Sequence, residues 1–430
     1  MLTFGTNQLI GGRMPGMRSR FDAAAVNWVL IIFAYAYIVR FLFIWFVPES
    51  VYWTVPEIAW SAFDDSGVRG EVFYVLLVAL SVFSFSVIVI RAFVIPSLSK
   101  TKPLTIFLYI PNQITIVALL LVLVLVGIFL NIVAFIYGIG HQGQFNEPLP
   151  FKLTGAIVYA KAAVVPALLL LQVYWAEASG RRQLARLGAV VLAVFGLIDM
   201  FMLDSRGAAL KPILLLALVW WLAGFRFRSF DKGVLALLIV FLFGAIQMVT
   251  SVRLYGGQLE ELSINHILEG LNFILFRVTG IEQLMVILHF GSPIPWSEVW
   301  DVLTSSRGIP GYYTTILLGV DENLPQTFAP SGLGWLYLVG GLPGVIVGTA
   351  IVSLMVTTMW RTLERSFSCC APVVKAFYLF TLLMMVSEGA MEASLISFLI
   401  VAFVLKIIDL TVKAIPLKGI ESWCAPELNR

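Results

Sequence analysis

The chain has 430 residues, of which 60% are hydrophobic and only 12% charged, where soluble domains average roughly 45–50% and about 25%. A mean hydropathy of +0.95 excludes a multidomain soluble enzyme, a disordered chain and a disulfide scaffold, and leaves a polytopic membrane protein. The net charge of +3 is no pointer to nucleic acid, because in such a chain the placement of Lys and Arg sets orientation.

At about 20 apolar residues per crossing, spans are predicted at 23–47, 71–95, 114–138, 154–176, 186–203, 208–224, 233–252, 331–359, 374–388 and 392–408. The stretch from Leu104 to Gly138 is too long for one span, and Pro111, Asn112 and Gln113 break it. The last two spans meet at Glu388–Glu392 and read either as a closely joined pair or as one broken element. The expected fold is all-α, with about ten transmembrane helices (ten to twelve) and one large, partly helical periplasmic loop. Residues 1–22 and 409–430 read as cytoplasmic tails, 23–252 as helices 1–7, 253–330 as the periplasmic loop and 331–408 as helices 8–10. The first span is expected to act as the insertion signal, since the first twenty residues lack the pattern of a cleavable leader.

Basic residues test this map. The N-terminal and C-terminal segments and every second loop hold 19 of the 28 Lys and Arg residues. The positive-inside rule then puts both termini in the cytoplasm. Cys369, Cys370 and Cys424 fall on the same, reducing side, with neither a metal-ligand spacing nor a disulfide framework. Within the loop at 253–330, Leu262 to Leu275 and Val278 to Phe290 are predicted as amphipathic helices, and Gly308, Pro310, Gly311, Pro325 and Pro330 as turn markers. Its aromatic content argues for a folded cap rather than a disordered tether. No internal repeat points to an inverted-repeat transporter.

Charges inside spans are functional hypotheses by default. They are Arg40, Lys161, Asp199, Glu388 and Glu392, all in the outer halves of their spans. Snorkelling accounts equally well for Arg40 and Lys161, whose stems are long. Outward-facing Arg69, Arg206, Arg253, Arg277 and Arg307 oppose the charge rule. Either they bind an anionic ligand, for which a planar guanidinium suits phosphate, or they pair with Glu260, Glu261, Glu282 or Asp301. His141, His266 and His289 have no metal-site spacing, and no nucleotide loop or HExxH helix is present, so no metal or cofactor is expected. The glycines between Ser331 and Gly344 read first as a surface for close helix packing.

Four features together resemble the O-antigen polymerase (Wzy) family, lipid-linked glycan polymerases among the GT-C-like membrane glycosyltransferases. They are the turn Ser205-Arg206-Gly207, the run Phe276-Arg277 in the long outer loop, Ala329-Pro330-Ser331 followed by Gly340-Gly341-Leu342-Pro343-Gly344, and Glu388 near the outer end of a late span. The likeness covers about the last two thirds of the chain. It implies a bacterial inner-membrane enzyme that joins undecaprenyl-pyrophosphate-linked repeat units on the periplasmic face. Glu388 is then the first candidate base, ahead of Glu392 and Asp199, and Arg277 the first stabiliser of the leaving pyrophosphate, with Arg206, Arg253 and Arg307 binding substrate. Tyr312 and Tyr313, with Tyr255 and Trp335, are candidate sugar platforms, with interface anchoring as the competing role. The implied partners are the lipid-linked glycan, the bilayer and a chain-length regulator protein at the outer loop. An O-antigen ligase using the same donor, or a lipid-linked oligosaccharide flippase, are the alternatives.

Overall fold

The computed structural model describes residues 17–47, 60–94, 111–139, 153–202, 206–225, 280–305, 308–319, 329–389 and 391–414. The described elements are all helical, with no strand among them. Helix α1 runs from Met17–Phe33 through a π turn, Ala34–Val39, into Arg40–Phe46. After the short α2 (Ser61–Asp64), α3 spans Ser66–Val89 and ends in a π turn, Ile90–Val94. Helix α4 is Gln113–Ile136; α5 joins Leu153–Tyr159, the π turn Ala160–Val164 and Val165–Ala178. Helices α6 (Arg182–Met202) and α7 (Arg206–Ala223) follow. Beyond the undescribed 226–279 come α8 (Ile281–Phe290), α9 (Trp296–Thr304) and α10 (Gly308–Tyr312), the last continued by a π turn, Tyr313–Leu317. Three long helices complete the described residues: α11 (Gly332–Ser366), α12 (Ala371–Ser387) and α13 (Met391–Ala414).

Nine of the ten predicted spans coincide with a helix; the tenth, 233–252, lies outside the described residues. Seven helices are long and apolar enough to cross a membrane, while α7 and α12 offer shorter apolar stretches, Leu210–Ala223 and Ala371–Ser387. The boundaries follow local chemistry. Asn112 ends the break in the long apolar run because its Oδ1 accepts the Thr115 N–H at 2.9 Å and starts α4. Asp65 accepts the Gly67 N–H at 2.8 Å, so α3 begins at Ser66, ahead of the expected 71. Glu388 and Gly389 separate α12 from α13, which resolves the late pair into two helices.

Among the last three helices, Gly389 meets Ser331 at one end and Ser368 meets Asp409 at the other, so the bundle has a Glu388 end and an Asp409 end. Among the described residues, two apolar cores fill it. One joins α1 and α4–α7 to the later part of α11, α12 and α13 through residues such as Trp175, Leu218, Trp360 and Phe377. The other, at the Glu388 end, packs α1, α3 and the start of α11 around α8. Outward faces are equally apolar: Leu125, Phe129 and Phe135 on α4 and Phe85 and Ile88 on α3 are largely exposed. A contiguous apolar exterior of that kind needs hydrocarbon as its solvent.

The cap predicted over 253–330 is only partly described, and its described part departs from expectation. Leu262 to Leu275 lies outside the described residues. Helix α8 does not lie on the surface as an amphipathic helix. Ile281, Glu282 and Leu284 to Ile287 are all buried, so it enters the core between α3 and α11. Gly308, Pro310 and Gly311 were expected to mark turns but sit in α10; Pro310 is in the first turn, where a missing N–H costs nothing. Among the described residues of this region the amphipathic helix is α9, which buries Val299 and exposes Trp296 and Trp300.

Candidate functional site

Helix ends converge at the Glu388 end. The Tyr37 hydroxyl donates to Val386 O at 2.6 Å and accepts from Leu333 N at 3.1 Å, so one phenol ties α1 to α11 and α12. The π turn in α1 makes a further link: Arg40 N–H turns to Tyr37 O, and Ala36 O accepts from Gly280 N at the start of α8. Gly389 has φ +65°, and a Cβ there would stand 2.2 Å from Ser331 O. Only glycine fits that combination of left-handed backbone and close approach. Glu388 stands half-buried in this turn, its N–H bonded to Met384 O at 3.0 Å.

An apolar cleft of about 540 Å³ reaches the same turn. Its walls include Val29, Phe33, Phe83, Met385, Val386 and Met391, so it runs along α12 to within one turn of Glu388.

Arg40 is fully buried and its Nε bonds Glu282 Oε1 at 2.6 Å. Snorkelling is thereby replaced by pairing, across 242 positions of sequence. The pair explains how α8 carries a carboxylate into an apolar core. Tyr313 lies in the same core, 2% exposed, and burial together with the Glu282 carboxylate pushes its phenol pKa up. Tyr313 is thus packed inside the core, while Tyr312 is half-buried.

Lys161 is buried as well, 2.9 Å from Asp199 Oδ1. The pair lines a cavity of about 590 Å³ bounded by α4, α5, α6 and α7, with Asn131 and Lys211 in its wall. Its lining includes Asp199 but not Glu388. Lys211 Nζ donates to Ala162 O at 2.7 Å. That carbonyl lacks its usual helical donor because Pro166, four residues on, has no N–H. Lys211 was missed from sequence because it sits inside an apolar run; the pair Lys211-Pro212 was the available signal.

Of the other expected site residues, Arg253, Arg277 and Arg307 lie outside the described residues. Arg206 is the first residue of α7 rather than part of a free turn, and Glu392 is the second residue of α13. Both positions are at the Glu388 end. Arg69 directs Nε and Nη2 to Phe63 O at 3.2 and 2.6 Å, bracing the turn before α3. The glycines of α11 do more than ease helix packing. Gly340 and Gly341 break the helix, Gly341 with φ +60°.

Two further polar clusters stand apart. Asp65 Oδ2 is 3.2 Å from His289 Nδ1, and His289 Nε2 is 3.4 Å from Ser61 Oγ. This surface chain fastens the α2–α3 turn to α8, and the Gly67 N–H first, with His289 beside it, holds the Asp65 carboxyl below its usual range. At the Asp409 end, Cys369, Cys370 and Asp409 bring three possible ligand atoms within 4.8 Å. Asp409 Oδ1 there accepts from Ser368 N, Ser368 Oγ and Cys369 N at 2.8, 2.7 and 3.0 Å, a clamp on the loop between α11 and α12.

No protein-family model, curated protein or solved structure matches the chain.

Proposed function

We propose that the chain is a membrane glycosyltransferase that polymerises undecaprenyl-pyrophosphate-linked oligosaccharide repeat units on the periplasmic face of the bacterial inner membrane. The observation that carries this reading is the apolar cleft that reaches Met385 and Val386, within one turn of Glu388. An isoprenoid tail requires a hydrocarbon-lined groove between helices, and transfer requires a base where that groove meets water. Ten to twelve spans and cytoplasmic termini belong to the same reading, with 253–330 as the periplasmic loop.

In this scheme the acceptor hydroxyl gives its proton to Glu388 and its oxygen attacks the donor's anomeric carbon. The bond from that carbon to the phosphate oxygen breaks, and the lipid pyrophosphate leaves with the electron pair. Arg277, helped by Arg206, Arg253 and Arg307, stabilises the charge on the departing group. Losing one preorganised donor of that kind typically costs about 3–4 kcal/mol. Glu392 keeps its place as a second candidate carboxylate. The ion pair of Asp199 with Lys161 supports a binding role for Asp199 over that of a base.

The test is purified protein in proteoliposomes supplied with a lipid-pyrophosphate repeat unit. Oligomers longer than the substrate are expected without ATP. Glu388→Gln should lower the rate about a hundredfold or more, the scale of general-base catalysis. Arg277→Ala should abolish chain growth at unchanged protein level, and Arg277→Lys should also be impaired for want of the planar fork. Normal chain ladders from Arg277→Ala would refute the assignment. Transfer of finished glycan to lipid A core, without chain growth, would identify a ligase; movement of the lipid-linked sugar without transfer would identify a flippase.

A further inference from the structure

The cavity bounded by α4, α5, α6 and α7 is unbalanced in charge. Among its described lining residues, Lys161 and Lys211 supply two ammonium groups and Asp199 one carboxylate. Lys161 stands 2.9 Å from Asp199 Oδ1, an ion pair without hydrogen-bond geometry. Lys211 directs one N–H to the neutral Ala162 carbonyl at 2.7 Å and stands 5.3 Å from the Phe380 ring centroid, so no carboxylate is bonded to it among the described residues, and an ammonium carries three N–H groups. A surplus cation enclosed by apolar helices is costly unless an anion joins it. A second group calls for a partner: Asn131 Nδ2 donates to Gly127 O at 2.9 Å, while its buried Oδ1 has no hydrogen bond.

We propose that this cavity binds a phosphate-bearing anion. Phosphate oxygens would accept from Lys211 and compete with Asp199 for Lys161, and a protonated phosphate oxygen or an adjoining hydroxyl would donate to Asn131 Oδ1. Leu130, Leu192 and Phe195 make the rest of the wall apolar, so a lipid headgroup suits the site as well as free phosphate or pyrophosphate does. The inference goes beyond glycosyl transfer, since it rests on charge balance and cavity shape alone.

The experiment uses the full-length chain in nanodiscs of phosphatidylcholine. Inorganic pyrophosphate is titrated calorimetrically, and in a second series phosphatidic acid is added to the disc and its retention read by native mass spectrometry. Saturable binding of at least one probe is expected. Retention of phosphatidic acid alone assigns the headgroup; binding of pyrophosphate alone assigns the free anion. Lys211→Met keeps the Lys161–Asp199 pair and should weaken binding roughly tenfold, the scale of one charge-assisted contact. Asp199→Asn removes the internal competitor and should tighten it. A general loss of fold cannot move the two variants in opposite directions. No binding of either probe to the wild type, unchanged affinity in both variants, or weakening in both overturns the proposal. If Lys211→Met folds poorly, Asp199→Asn decides alone, and unchanged or weaker binding overturns it. Polymer synthesis is assayed separately, so its absence with anion binding intact removes only the enzymatic reading.

Discussion

Single side chains at the Glu388 end do more joining than their types suggest. Tyr37 holds three helices through one hydroxyl, and Lys211 completes the hydrogen bonding of a carbonyl that Pro166 leaves open. Asp65 acts on its own turn and on α8 together, through Gly67 and His289. Because folding lowers its pKa, its ionised form contributes stability above the usual carboxylate pKa, and that contribution is lost as pH falls through the lower, folded value. Asp65→Asn retains a capping oxygen but not the charge. The variant should therefore unfold at a slightly lower temperature than wild type at neutral pH and match it in strong acid. Thermal unfolding across pH checks this, and a gap that persists in acid would show that the cap and not the charge matters. The residue scale is also where sequence reading was weakest. Arg40 and Lys161 looked equally able to snorkel, because stem length and depth in a span are visible locally while a partner on another helix is not.

Among elements, α8 is the most instructive. Its ten residues, IEQLMVILHF, are too few to cross a membrane, and its apolar positions surround the helix instead of forming a stripe. Such a helix must be buried on all sides, and Glu282 can follow only because Arg40 waits in α1. Removing one partner of a buried pair typically costs about 3–5 kcal/mol, whereas replacing both with apolar residues is often near neutral. Arg40→Met should accordingly be strongly destabilised, and Arg40→Met with Glu282→Met should recover most of the loss. Equal destabilisation of the single and double variants in denaturant or thermal unfolding would mean that the pair does not hold α8 in place. The π turns in α1 and α5 belong to this scale as well. Each sits beside an intra-span charge, Arg40 or Lys161, and each offers a carbonyl to another element, Ala36 O to Gly280 and Ala162 O to Lys211. Neither turn was legible in sequence, since π geometry depends on such outside partners and leaves no periodicity of its own.

For the whole molecule, the buried ion pairs of the spans, Arg40–Glu282 and Lys161–Asp199, both fall toward the Glu388 end. The cleft near Glu388 and the cavity around Lys211 share no lining residue. The exposed Trp296 and Trp300 on α9 have the amphipathic character of residues at a membrane–water boundary. If that end is periplasmic, a single introduced cysteine at Ser305 should react with a membrane-impermeant maleimide in whole cells, and one at Ser366 only after the membrane is opened. The reverse pattern would invert the orientation inferred from Lys and Arg.

Membrane insertion and the location of nine helices were decided by sequence alone, because the length of an apolar run and the charges flanking it are local properties of the chain. The carboxylate Glu388 and the acid Asp199 were legible for the same reason: a short charged side chain in an apolar stretch stands out wherever it leads. Tertiary structure decided the rest. It placed Glu282 on Arg40, brought Lys211 into the space beside Lys161 and Asp199, broke α11 at Gly340–Gly341 and sank α8 into the core. Each of these depends on a desolvated polar group finding its partner on a different helix, and no pattern of neighbours along the chain records which helix that will be.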